Sequence, residues 1–115
     1  MTTQDIFFNL GEVTDGDTYF RVPFRCTVRG LSGVTSADCR DETFTVSSGS
    51  DDIGTLTFPD DADYSSAGEG YGGYTPDSDN GNKVLDKGDV LKITTDDTDA
   101  QAFLTLELDP FGRKA

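Results

Sequence analysis

The 115-residue chain carries 22 Asp and Glu against 9 Lys and Arg, for a formal charge of −13, and it has neither His nor Trp. That length predicts one domain, and the missing His removes His-containing triads and most zinc sites. The charge argues against phosphate backbones and anionic lipid surfaces, and no run reaches the roughly 18 apolar residues of a membrane span.

Leu, Ile, Val and Phe make up about 23% of the chain, narrowly above the level of about 20% at which disorder becomes the default. A thin core is expected, one that a subunit interface would supplement. The charge is uneven. Residues 1–50 carry seven acids and four Arg, and residues 51–115 carry fifteen acids and five bases.

Along the chain the pattern is β nearly throughout. Residues 5–13 alternate, with Ile6, Phe8 and Leu10 on one face. Residues 19–31 form the clearest strand, with Phe20, Val22, Phe24, Cys26 and Val28 sharing a face at period two. Asp15-Gly16 lies between these runs and predicts a type I′ hairpin. Residues 42–47 follow with Phe44 and Val46 inward, then a turn over 48–52, then 53–58 with Leu56 and Phe58 inward.

Residues 59–82 are rich in Asp, Ser, Gly and Tyr and predict a long polar loop, with a short strand near 70–75. Its large side chains, Tyr64, Tyr71 and Tyr74, are candidates either to dock the loop or to sit in a partner interface. Residues 89–95 present Leu91 and Ile93, and residues 101–109 present Leu104, Leu106 and Leu108. The acidic stretch 96–99 predicts a tight turn joining them, and residues 110–115 predict an exposed tail. No window shows a helical period with caps. The expectation is an all-β fold, a single antiparallel β-sandwich of about seven short strands over 1–115. A jelly-roll-like order is one option, against which the 15–16 hairpin counts mildly.

The chemistry-bearing constellations are few. Asp77-Ser78-Asp79-Asn80-Gly81 has the look of a calcium loop, but its sixth position is Asn82 and its twelfth is Gly88, so the EF-hand register fails. No metal or cofactor is expected. The acids sit mostly in turns beside Gly and Ser, where a raised pKa is hard to achieve, so no enzyme activity is expected. Cys26 and Cys39 have no metal-ligand spacing. The opening residues lack a basic region followed by an apolar run, so no signal peptide is expected; two reduced thiols are then the expectation, with one disulfide as the alternative.

One feature has a definite shape. Arg21, Arg25 and Arg29 are spaced four apart, which on one strand places them on one face, with Pro23 among them. Pro cannot donate to a ladder, so this strand should be an edge or bulged. The cations then either guard the edge and neutralise acids such as Glu12 on a neighbouring strand, or they dock an acidic partner through bidentate bonds.

Three stretches carry a resemblance. Phe7-Phe8-Asn9-Leu10-Gly11 with the 15–24 segment DGDTYFRVPF, the 84–93 segment VLDKGDVLKI, and the closing Leu106-Glu107-Leu108-Asp109-Pro110 resemble small β-rich virion proteins of tailed bacteriophages. The likeness implies a head decoration or cement protein on the capsid surface, made in the host cytoplasm. Its partner would be the major capsid protein, and it would be a homo-oligomer, a trimer being favoured. Two other roles are open: a carbohydrate- or receptor-binding module of a phage fibre, with Tyr64, Tyr71 and Tyr74 stacking on sugars, and a head-completion or tail subunit.

Overall fold

The computed structural model describes residues 5–13, 17–35, 42–58, 73–95 and 102–110. These hold eight strands: β1 Ile6–Val13, β2 Asp17–Arg21, β3 Cys26–Thr35, β4 Thr43–Ser48, β5 Asp51–Thr57, β6 Gly73–Pro76, β7 Val90–Thr95 and β8 Ala102–Pro110. They form two antiparallel sheets, one of three strands in the order β1-β8-β3 and one of five in the order β2-β7-β4-β5-β6. The fold is an all-β sandwich.

The chain changes sheets between β1 and β2, β2 and β3, β3 and β4, and β7 and β8. The pairs β1–β8 and β2–β7 therefore nest, with β3 and β4 on their other sides, which is the wrapped order of a jelly roll. The departure is β6, which pairs with β5 while lying near β3, rather than adding a fourth strand to the smaller sheet.

This topology corrects three local expectations. Asp15-Gly16 does not close a hairpin, because β1 pairs with β8 and β2 with β7. For the same reason β7 and β8 are not a hairpin pair. The long strand expected over 19–31 is two strands in different sheets, broken at residues 22–25, where Pro23 has no N–H to donate. The tail expectation also shifts, since Pro110 is buried as the last residue of β8 and pairs with Cys26.

Among the described residues, seventeen apolar side chains fill the space between the sheets, including Phe44, Phe58, Ile53, Leu56, Leu104, Leu106 and Leu108. Phe44 and Phe58 meet edge to face at 5.9 Å. Alternation carries most of this. The burial of β8 runs strictly in and out, with Ala102, Leu104, Leu106 and Leu108 inward. Three irregularities reset the phase elsewhere, one of them between Val46 and Ser47 in the β4–β5 pair. In β1 the register slips between Asn9 and Gly11, Gly11 takes φ +72°, and its N–H is held by Asn9 Oδ1 at 2.8 Å. After this bulge Val13 is buried, which a straight alternation from Ile6 would turn outward. In β3 the slip falls at Arg29, so Val28 and Leu31 both face the core.

Gly33 is required on β3. A Cβ there would lie 2.5 Å from Leu104 Cδ2 and 2.6 Å from the Phe103 carbonyl oxygen. On the solvent side of the five-stranded sheet, Thr94, Thr45, Thr55 and Thr75 form a cross-strand row, where Thr suits a half-exposed strand.

Candidate functional site

Arg21, Arg25 and Arg29 are not three teeth on one strand. Arg21 ends β2, Arg25 lies in the corner between the sheets, and Arg29 is the bulged residue of β3. Glu12 is not their neutraliser either; it pairs with Phe103. Arg29 instead meets Asp5 at 3.5 Å and Asp109 at 3.9 Å. Glu107 joins that group. Its carboxyl is held above the ordinary 4.5, first by a hydrogen bond to Asp5, then by burial and the Asp5 charge, with Arg29 opposing. Arg29 is thus occupied by the carboxylates of its own sheet.

The other two arginines belong to a different cluster, built by the corner. Four backbone hydrogen bonds clamp residues 22–26 against 85–89. Val22 N–H donates to Asp89 O (2.8 Å), Gly88 N–H to Val22 O (2.8 Å), Cys26 N–H to Leu85 O (2.9 Å) and Leu85 N–H to Cys26 O (2.7 Å). Buried Val22, Cys26 and Leu85 anchor the crossing. The turn closes on itself: Asp86 N–H donates to Asp89 Oδ2 at 2.9 Å, and Gly88 takes φ +96° beneath the Arg21 guanidinium.

The clamp gathers cations that are far apart in sequence. Arg21 pairs with Val90, Arg25 reaches Asp86 at 3.7 Å, Lys87 sits in the turn, and Lys92 lies opposite Tyr19. Four of the six Lys and Arg of the described residues are at this corner. The remaining two are Arg29 and Lys83, and Lys83 donates to Asp51 at 2.7 Å. Among the described residues, Arg21, Lys87 and Lys92 make no ion pair. Tyr19 (64% exposed) and Val90 (47% exposed) stand among them. Sequence reasoning missed Tyr19, Lys87, Val90 and Lys92. The available signal was the alternation of residues 89–95, which turns Val90 and Lys92 outward with Leu91 and Ile93 inward.

Tyr74 lies on β6 with its ring packed on the core over Gly54, and its hydroxyl is buried. It docks its segment rather than offering a stacking platform. Tyr64 and Tyr71 lie outside the described residues, as does Cys39. In the 77–81 turn, Asp77 Oδ2 accepts the N–H groups of Asp79 and Asn80, both at 2.9 Å, so this carboxylate closes its own loop. No group of three or more metal-ligating side chains occurs among the described residues.

A second surface carries exposed apolar side chains among polar ones. On the outside of the three-stranded sheet, Phe103 and Val34 are cross-strand partners, 50% and 44% exposed, and Phe7 stands out on β1. A shallow depression floored by Asn9, Ser32 and Thr105 lies beside Phe103 and Val34. No family model, curated protein or solved structure gives a match to the chain.

Proposed function

We propose that this chain is a non-enzymatic virion protein of a tailed bacteriophage that binds the outer capsid surface and reinforces the head. The resemblance of its strand and turn motifs supports this reading. The observation that carries it is the outer face of the three-stranded sheet, where Phe7, Val34 and Phe103 stand in solvent. Burying such a side chain from full exposure is worth roughly 1.5–3 kcal/mol, so covering these half-exposed ones is worth about half that each, and a shell surface would cover them.

The mechanism is physical. A chain that binds assembled shells but not free subunits stabilises the shell by mass action. Each copy, as a trimer in this reading, adds buried area across seams between major capsid proteins.

Co-sedimentation with purified heads lacking the protein tests it. The wild type should pellet with heads and raise the temperature at which they release DNA. Phe103→Asp with Val34→Asp should lose both effects with an unchanged circular dichroism spectrum. A folded wild type that neither pellets nor protects would refute the reading.

A further inference from the structure

We propose that the edge of β2 that no described strand covers accepts an extended segment of another protein in which apolar and acidic side chains alternate. This rests on the sheet edge alone and is independent of the shell-binding reading.

β2 is the first strand of the five-stranded sheet, and among the described residues nothing pairs with its other side. Every second residue of an edge strand turns its N–H and C=O away from the sheet, a template for one more strand. β2 has five residues, so at about 3.3 Å per residue the template is roughly 16 Å long. A partner segment of about five residues would fill it.

The two faces of that edge differ, and each specifies half of the partner. Outward, Tyr19 and Arg21 alternate along β2, with Lys92 beside Tyr19 on β7 and Lys87 in the adjoining turn. Arg21, Lys87 and Lys92 have no carboxylate partner among the described residues. Outward side chains of an added strand would lie against these cations, and acids are favoured there. Asp17 stands at the other end of β2, so the acids belong beside Arg21.

Inward, Phe20 is half-buried, with its ring 5.1 Å from that of Phe8, which lies 6.1 Å from that of Phe24. These rings occupy the mouth where the edges of β1 and β2 face each other without backbone pairing. Inward side chains of an added strand would cover Phe20 and Phe8, which selects apolar residues. Period two then follows, because successive residues of a strand point to opposite faces.

Fluorescence polarisation of the full chain with a labelled heptapeptide alternating valine and glutamate tests this. The expected result is saturable binding, at least about tenfold tighter than to the valine–lysine analogue or to a scrambled valine–glutamate peptide. Arg21→Glu and Lys92→Glu should each weaken it by about tenfold or more, with the fold checked by circular dichroism. Two variants keep the test alive should one misfold. Raising ionic strength from about 0.01 to 0.15 M, which shortens the screening length from about 30 to 8 Å, should also weaken it. N-methylation of the peptide at alternate residues should abolish binding in one of its two phases.

Equal binding of the lysine analogue, unchanged affinity in both charge-reversal variants, or indifference to N-methylation in both phases would overturn the proposal. No binding at all would assign the cations to guarding the edge. A dimer of the chain lost in Arg21→Glu would assign the edge to a second copy. Either outcome also overturns it.

Discussion

Tyr74 and Gly54 make a tight contact in the five-stranded sheet. A Cβ placed on Gly54 would overlap the Tyr74 hydroxyl and ring, and that hydroxyl is buried with no hydrogen-bond partner among the described residues. An unsatisfied buried polar group costs about 1–3 kcal/mol. Tyr74→Phe keeps the ring and removes the cost, so it should stabilise by about 1 kcal/mol or more, raising Tm by roughly 4 °C per kcal/mol. Gly54→Ala, which in an ordinary strand would gain about 0.5–1 kcal/mol, should here destabilise by about 1–3 kcal/mol because the ring must move. In a Tyr74→Ala background that penalty should vanish, and urea melts of the four proteins close the double-mutant cycle. Burial pushes the Tyr74 phenol from 10 up to about 12. Between those values the folded chain holds a proton that the unfolded chain releases, so stability falls as pH rises from 10 to 12, and Tyr74→Phe should lack that component. Two results would refute the reasoning: Tyr74→Phe destabilising by 1 kcal/mol or more, or Gly54→Ala costing the same with and without the ring.

Further outcomes follow from the same packing. Cys26 is fully buried and its thiol is pushed up to about 11, mainly by burial and then by Asp109 and Asp89; in a Cys39→Ser background it should resist Ellman's reagent until urea unfolds the chain. Leu106→Ala, at the centre of β8, should cost about 2–5 kcal/mol in chemical unfolding. Gly33→Val should be at least as damaging, since the new side chain meets the Phe103 carbonyl as well as Leu104. Protonated Glu107 favours the fold, because its folded pKa lies above the ordinary 4.5; stability therefore falls as pH rises from 4.5, and Glu107→Gln should melt modestly higher than wild type at neutral pH with the difference closing in acid.

The strand inventory was legible because burial on one face imposes period two, which β7 and β8 follow and β4 and β5 follow up to the register shift between Val46 and Ser47. The sandwich followed from the number and spacing of those strands. Pairing was not legible, because it depends on which sheet each strand joins. Asp15-Gly16 has hairpin chemistry, yet the nested β1–β8 and β2–β7 pairs send its flanking strands to different sheets. The bulges at Gly11 and Arg29 were hidden for a related reason: a one-residue slip reverses every later side chain, and only the partner strand reveals it. The arginines were found and their arrangement was not. Spacing by four implies one face only on an unbroken strand, and Pro23 marked where this one breaks. Lys87 and Lys92 entered the cluster through the clamp between 22–26 and 85–89, a contact across 59 to 67 residues of chain.

The charge of −13 acquires a direction from this layout. Of the described cations, Arg29 and Lys83 are held by nearby carboxylates, and the rest collect at one corner of the five-stranded sheet. Among the described residues that corner, which also holds Asp86 and Asp89, is where positive side chains gather, and charge clusters of this kind bias the approach of charged partners. The exposed pair Phe103 and Val34 lies on the outer face of the other sheet, across a sandwich about 10 Å thick. A polar edge and an apolar face on opposite sides cannot serve one flat partner surface together. In the reading proposed above the apolar side chains seat on the shell, which leaves the edge of β2 for a different partner.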